Sequence, residues 1–442
     1  MTDTTSTDPA YWTTEKIAEI ILRGDPPADA AVHAYIEDVA EMPAIEAAGR
    51  LAGNIARTAH LPSEEQVPEM KAFLDDRPDL PEWANRAQIL RSQELFGQIG
   101  PVLGFAMLCN SFPASYASPR GSRILTFSGR LSEKPKRRIM ETTQLVWDMF
   151  QPGGLEIGAP GWVDARRVRL MHATVRALVS AHADEPHHVD DEPLWRPEWG
   201  QPINQMEMTA FIMPMTLTLF DTMPKFGLQL DRQQQEDLLH IWCVLGHLMG
   251  CSDDLLPFTL ESARAFWQLV QTEEYEYDRG ENPDGVELMR AHNEMLDELT
   301  PRFLHGLPRT AQRLTLDPRL CDALGIGQPN WTRIPFVAVR EITERVWWTE
   351  RHDKSIAWVA DKVGRTAINR ILTMERGGER PPFSVPSELE AMWANRQLQT
   401  RRGRVMQRGR TGVSTVARRA RTRYASMKSW ITATARSGSR QT

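Results

Sequence analysis

Apolar positions along this chain recur at three- and four-residue spacing much more often than at two. Ile17, Ile20 and Ile21 set the pattern within Thr14–Arg23, and similar patterns run over Ala30–Val39 and Ala44–His60. Pro26 and Pro27 part the first two. Leu80–Trp83 opens another predicted helix, with Pro81 suited to a first turn. Gly97–Asn110 is nearly all apolar and is therefore expected to be central, its glycines permitting close packing or a kink. Asn110–Leu131 is rich in Ser, Pro and Gly and is predicted to be a loop over a pocket or its rim. Within it, only Arg123–Phe127 has a short β-prone character.

Helical periodicity resumes over Glu133–Phe150 and is stopped by Gln151–Gly161. Val163–Ala181 is a basic amphipathic pattern, and His182–Trp199 is a polar loop. Ile203–Phe220 is an apolar helix with Asn204 as N-cap and Glu207 at capping-box spacing. Helices are further expected over Asp231–Cys251, Leu260–Tyr277, Gly285–Leu304 and Trp331–Trp348, the last interrupted at Pro335. The prediction is an all-α protein. A disordered N-terminus (1–12) precedes one large helical domain (13–352). A weakly patterned stretch (353–400) follows, with a linker near 377–386, and then a tail (401–442).

Charge changes the picture at that tail. Arg401–Thr442 holds 12 basic residues and no acid, leaving 40 basic against 58 acidic residues on the rest of the chain. Val413, Val416, Ala420, Tyr424, Met427 and Ile431 form an apolar stripe among its arginines. A basic amphipathic helix of this kind suits an anionic membrane surface or a docking partner. The acidic body argues against nucleic acid as a partner. Hydrophobic residues at 41% and charged residues at 25% supply a core and exclude a wholly disordered chain. Cys109, Cys243, Cys251 and Cys321 show no zinc spacing and are expected to be free thiols in a reducing compartment. With no signal peptide and no uninterrupted apolar run long enough to span a bilayer, a cytoplasmic protein is expected, peripheral on the inner membrane face if the tail binds there.

Candidate chemistry centres on Val163–Ala181. Arg169, His172 and Arg176 share one stripe, and the arginine pair suits a carboxylate or propionate. The plainer account is that both arginines bind acidic neighbours. Glu236, His240, Cys243 and His247 also share a face, but His240 and His247 are two turns apart, roughly 10.5 Å of rise, and reach one ion poorly. The His187–His188–Asp190–Asp191–Glu192 cluster is expected to be a solvated loop. Met206, Met208, Met213 and Met215 fill a core or face a cofactor.

One ordered set of blocks is more specific. SFPASYASPRGSRILTFSGRL, RRIMETTQLVWD, PGG, RVRLMHATVRAL, GQPINQMEM and LHIWCVLGHLMG follow one another between about residues 80 and 350. Together they resemble the catalytic domain of the mpaB-type oxygenase and rubber oxygenase (latex clearing protein) family. The resemblance implies a globin-like helical core holding haem b, and dioxygen used on an apolar, isoprenoid-like chain. It places Glu141 and Arg167 in catalytic positions. Val168 and Asp164 stand where the latex-clearing branch has a threonine and an arginine. Met213 falls where that branch has its haem-ligating histidine. Axial-ligand candidates are then Met213, His172, His240 and His247. The expected function is a haem-dependent oxygenase; the alternative is a helical carrier of an apolar ligand that has lost the iron chemistry.

Overall fold

The computed structural model describes residues 5–39, 51, 67–130, 135–329 and 331–352. The pattern expected over Ala44–His60, the linker near 377–386 and the basic tail lie outside the described residues.

Among the described residues the regular structure is helical and there is no sheet; the lone bridge joins Pro186 and Pro193. The chain runs α1 (Thr14–Ile20), α2 (Pro26–Asp38), α3 (Pro68–Asp75), α4 (Arg86–Ala106), α5 (Phe112–Ser115), α6 (Pro119–Arg130), α7 (Pro135–Met149) and α8 (Pro160–Ala181). It continues through α9 (Gln205–Met215), α10 (Leu217–Thr222), α11 (Arg232–Leu248), α12 (Leu260–Glu274), α13 (Pro283–Leu299), α14 (Leu307–Thr315), α15 (Pro318–Ala323) and α16 (Arg333–His352). The all-α expectation holds.

Local chemistry sets many of the boundaries. Asn85 accepts from the Ala87 and Gln88 amides at the start of α4, later than the Leu80–Trp83 start expected. The Asn204–Glu207 capping box forms as read, and Asp231–Gln234 makes a second one at α11. Proline opens α2, α3, α6, α7 and α8, because its fixed φ and missing N–H cost nothing in a first turn. Pro335 likewise sits in the first turn of α16 and does not interrupt it.

The Ser/Pro/Gly-rich stretch expected to be a loop is instead mostly helix. A π-helical turn (Met107–Ser111) follows α4, then α5 and α6. Tertiary partners override the weak local propensity. Arg120 pairs closely with Glu274, and Arg123 reaches Asp284 at 2.8 Å. The apolar 203–220 pattern is split at Thr216 into α9 and α10, beside Pro214.

By length and composition the continuous helix Arg86–Ser115 is long and apolar enough to cross a membrane, contrary to the expectation of no such segment. Of its apolar window, 67% is buried within the fold. Arg91 forks onto Asp237 of α11 at 2.6 and 2.7 Å, and Phe96 stacks on Phe150 at 4.3 Å. At the α7–α8 turn, a Cβ on Gly161 would stand 2.6 Å from the Gly154 carbonyl oxygen, so only glycine lets these segments close.

Candidate functional site

Helices α8 and α9 do not pack flush. They face one another across a cavity of about 270 Å³, which α6, α7 and α12 also line. α8 contributes Val168, Met171, His172 and Val175; α9 and its entry turn contribute Ile203, Met206, Glu207, Met208, Ala210, Phe211 and Pro214. Leu125, Leu145, Trp267 and Val270 complete the apolar wall, and Glu141, Glu274 and Tyr275 add polar groups. The volume lies near the lower end of small-molecule sites, whose usual range starts at about 300 Å³.

The entry turn of α9 is strained. Ile203 has φ +48°, a region that β-branched residues avoid, at a cost of about 1–3 kcal/mol. Arg176 holds it there, donating to the Ile203 carbonyl and, at 3.4 Å, to that of Pro202. Arg176 is itself fixed by Asp29 at 2.8 Å. One turn earlier than His172, Arg169 forks onto Asp25 at 2.6 and 2.8 Å. The two arginines are therefore engaged with acidic neighbours on the N-terminal segment, and neither is among the cavity-lining residues. The cradle for an anionic group that their spacing suggested is taken up by Asp25 and Asp29.

The other candidates separate clearly. His172 and Glu141 both line the cavity. Arg167 is buried, donates to Asp164 at 3.1 Å and does not line it. Met213 is fully buried in the core beside the cavity without lining it. His240 and His247 lie elsewhere, holding the segment before α4. His240 accepts the Asn85 amide at 2.8 Å, its pKa lowered by burial against the opposing charge of Asp237. His247 bonds Asp253 at 2.6 Å, and Asp253 in turn accepts from the Trp83 indole at 2.9 Å. No group of three or more His, Cys, Asp or Glu among the described residues is placed to hold a metal ion. All four cysteines are free and buried, and burial pushes the Cys251 thiol up to about 12.

The 187–192 cluster is not uniformly solvated. His187 is buried and reaches Asp284 at 2.6 Å. Arg123 and Thr126 also donate to Asp284. Burial works to raise the Asp284 carboxyl, but these donors and the Arg123 charge hold it below the usual carboxylate range. The network anchors α6, a cavity wall, to α13.

Glu207 is the lining residue that sequence reasoning took for a helix cap alone. It does cap α9, with Oε2 accepting the Asn204 amide at 3.1 Å. It also lines the cavity, and burial raises its carboxyl above the ordinary value, against the fields of Arg120 and Arg176. A signal was present: an acidic residue on the first turn of a helix otherwise devoid of charge.

The donor set on the cavity fits a haem. An imidazole (His172) and thioethers (Met171, Met206, Met249) stand on largely apolar walls, and both groups are known axial ligands of haem iron. Among the described residues no lysine or arginine lines the cavity to meet propionates.

Fold and site thus define an all-helical protein built round a mainly apolar cavity carrying imidazole, thioether and carboxylate groups. Residues 95–345 match the family described as ER-bound oxygenase mpaB/B'/rubber oxygenase, catalytic domain, and the chain belongs to that family. It is 26% identical over 275 residues to the rubber oxygenase of Streptomyces sp. (strain K30), a match covering 60% of this chain and 63% of that protein's length. The structure of latex clearing protein in its closed state shares the fold, with a TM-score of 0.57, 21% identity, and coverage of 85% of this chain and 90% of that one.

Proposed function

We propose that this protein is a haem-dependent oxygenase that uses dioxygen on an apolar, isoprenoid-like substrate in the α8–α9 cavity. The observation that carries the reading is the placement of His172 on the wall of an oily cavity in a member of an oxygenase family. His172 would hold the iron and the Met171, Met206 and Met249 side chains would border the porphyrin. When bound, the haem supplies dioxygen activation. The protein's own work is positioning and water exclusion. Leu125, Leu145, Val175 and Phe211 shape an apolar bed that aligns a hydrocarbon chain. Glu141, half-buried on α7, supplies a carboxylate for proton transfer at the cavity wall.

The test is the absorption spectrum and iron content of the full-length protein, expressed with added haem precursor. A Soret band and iron near one per chain are expected, with His172→Ala losing or shifting the band while keeping its helical circular dichroism. Colourless, iron-free protein would defeat the proposal. Met213, where the latex-clearing branch has histidine, favours a second reading, a carrier for an apolar ligand. Colourless protein that co-purifies with lipid would support that one.

A further inference from the structure

α16 packs on the body of the protein through one face. Thr332, Phe336 and Trp347 are buried. Thr332 shares a 2.7 Å hydrogen bond with Thr310 of α14, and Phe336 meets Phe226 edge to face at 5.6 Å. Gly227 leaves no room for a Cβ beside the Arg340 carbonyl, so the turn before α11 lies directly against the helix.

The opposite face is apolar and open to solvent. Ile334 is 75% exposed, Ile342 62% and Val346 45%, with exposed Ala338 between them, so these residues step by four along one line. Trp331, 58% exposed, extends the line just ahead of the helix. Single exposed apolar residues are ordinary, but a contiguous stripe marks an interaction surface.

The chain itself supplies a matching strip. Residues 353–442 follow α16 directly and lie outside the described residues. In their sequence Ile356, Ala360, Val363, Ala367, Ile371 and Met374 step by 4, 3, 4, 4 and 3, which on a helix is one narrow stripe. Asp361, Lys362 and Arg365 fall on the far side. Two alanines keep the stripe weak when it is read by itself. Asp353 and Ser355 are N-cap types, and residues 353–355 have the length of the connection in a two-helix hairpin. Run antiparallel to α16, Ala360, Val363, Ala367, Ile371 and Met374 come opposite Val346, Ile342, Ala338, Ile334 and Trp331 in turn, without a slip in register. So short a tether holds the strip at an effective concentration on the order of millimolar, which a second copy in dilute solution does not reach.

We propose that residues 356–374 form a helix that folds back antiparallel on the exposed face of α16. The contact buries both stripes and returns the chain to the start of α16 before the 377–386 linker and the basic tail.

The experiment places spin labels on the full-length protein at Arg333→Cys and Arg370→Cys and measures their separation by double electron–electron resonance. Excess unlabelled protein suppresses distances between molecules. The four native thiols are buried and inert by comparison, and the protein without the two substitutions, treated alike, is the blank. The hairpin puts the labels within about 30 Å, two helix axes about 10 Å apart plus the label arms. One unbroken helix puts them about 55 Å apart, at 1.5 Å per residue. Ile334→Glu combined with Ile342→Glu changes only exposed positions. Helical circular dichroism should therefore stay, while the population at the short distance falls at least fivefold. A peak near the long distance, or a broad distribution with no short component, would overturn the proposal. So would a short distance that the paired glutamates leave unchanged, or one that disappears on adding unlabelled protein, which would make the occupant a second copy. Loss of vesicle sedimentation in the glutamate variant, with no short distance in the wild type, would make the face a lipid contact and equally sink the hairpin.

Discussion

His292 on α13 gives a pH dependence whose sign and size can be worked through. It is fully buried. Its Nε2 faces the Leu108 carbonyl at 2.8 Å and so carries the proton, leaving Nδ1 to accept from the Tyr116 hydroxyl at 3.1 Å. The neutral ring thus fastens α13 to the π-helical turn after α4. Burial pushes its pKa from 6.5 down to about 4, the Leu108 bond opposing. Between those values the unfolded chain binds a proton that the folded chain refuses. Stability is therefore full above pH 6.5 and is lost progressively as pH falls toward 4. At pH 4.5 the loss is about 2.5 kcal/mol, since each tenfold difference in proton affinity between the two states is worth about 1.36 kcal/mol. That is a large part of a total stability of roughly 5–15 kcal/mol.

Other groups titrate nearby. Glu207, with its raised carboxyl, gains folded-state stability on protonation and works in the opposite sense. The Asp284 and Asp237 carboxyls are depressed and lose their contribution below the ordinary 3.8. The informative quantity is therefore a difference. Urea unfolding of wild type and His292→Gln is compared at pH 7 and pH 4.5; glutamine can keep both hydrogen bonds but cannot titrate. The stability gap between the two proteins should change by about 2.5 kcal/mol in favour of the variant on acidification. A gap that stays constant within about 0.5 kcal/mol would show that the buried ring is not the titrating element.

Four further outcomes follow, three from particular contacts and one from the sequence of the tail. Asp284→Ala leaves the buried Arg123 with only Asp190 as an acidic partner, and urea unfolding should show a loss of about 3 kcal/mol; Arg290→Ala, from an exposed helical pair, should change it by about 0.5 kcal/mol or less. Gly250 has φ +97°, and a Cβ there would lie 2.2 Å from Asp25 Oδ2, so Gly250→Ala should cost about 1–3 kcal/mol and loosen the Asp25–Arg169 fork, read by thermal unfolding. We propose that the basic tail binds an anionic membrane surface; removing residues 401–442 should then abolish sedimentation with vesicles containing anionic lipid, and unchanged sedimentation would refute that role.

What was legible in the sequence follows from the range of the forces involved. The α9 cap could be read because Asn204 and Glu207 are three residues apart and satisfy each other locally. The span of α8 followed from the period of its apolar face. The helices of 112–130 were missed because their serines, prolines and glycines have weak intrinsic preference, and Glu274 and Asp284, which hold them, lie some 150 residues further on. His187 was read as solvated for the same reason, its partner Asp284 being 97 residues away. Of the site, His172 was singled out by its place on the Arg169–Arg176 stripe and Glu141 by the family resemblance, and both line the cavity. Glu207 was assigned a complete local role, which concealed its second one.

The partners of Arg169 and Arg176 change what the family-matched region means. That region begins at residue 95, yet Asp25 and Asp29, which fix both arginines, precede it. Without Asp29, Arg176 would lose the neighbour that aims it at the Pro202 and Ile203 carbonyls, and the strained turn that presents Ile203, Met206 and Glu207 to the cavity would have less to hold it. A left-handed isoleucine persists only where its surroundings over-determine it. Here those surroundings include the turn between α1 and α2, since Gln205 also donates to the Gly24 carbonyl and the Arg23 carbonyl accepts from the Gln205 amide. The N-terminal helices are thus part of the site's construction, and the geometry at Glu207 depends on residues far upstream of the matched region.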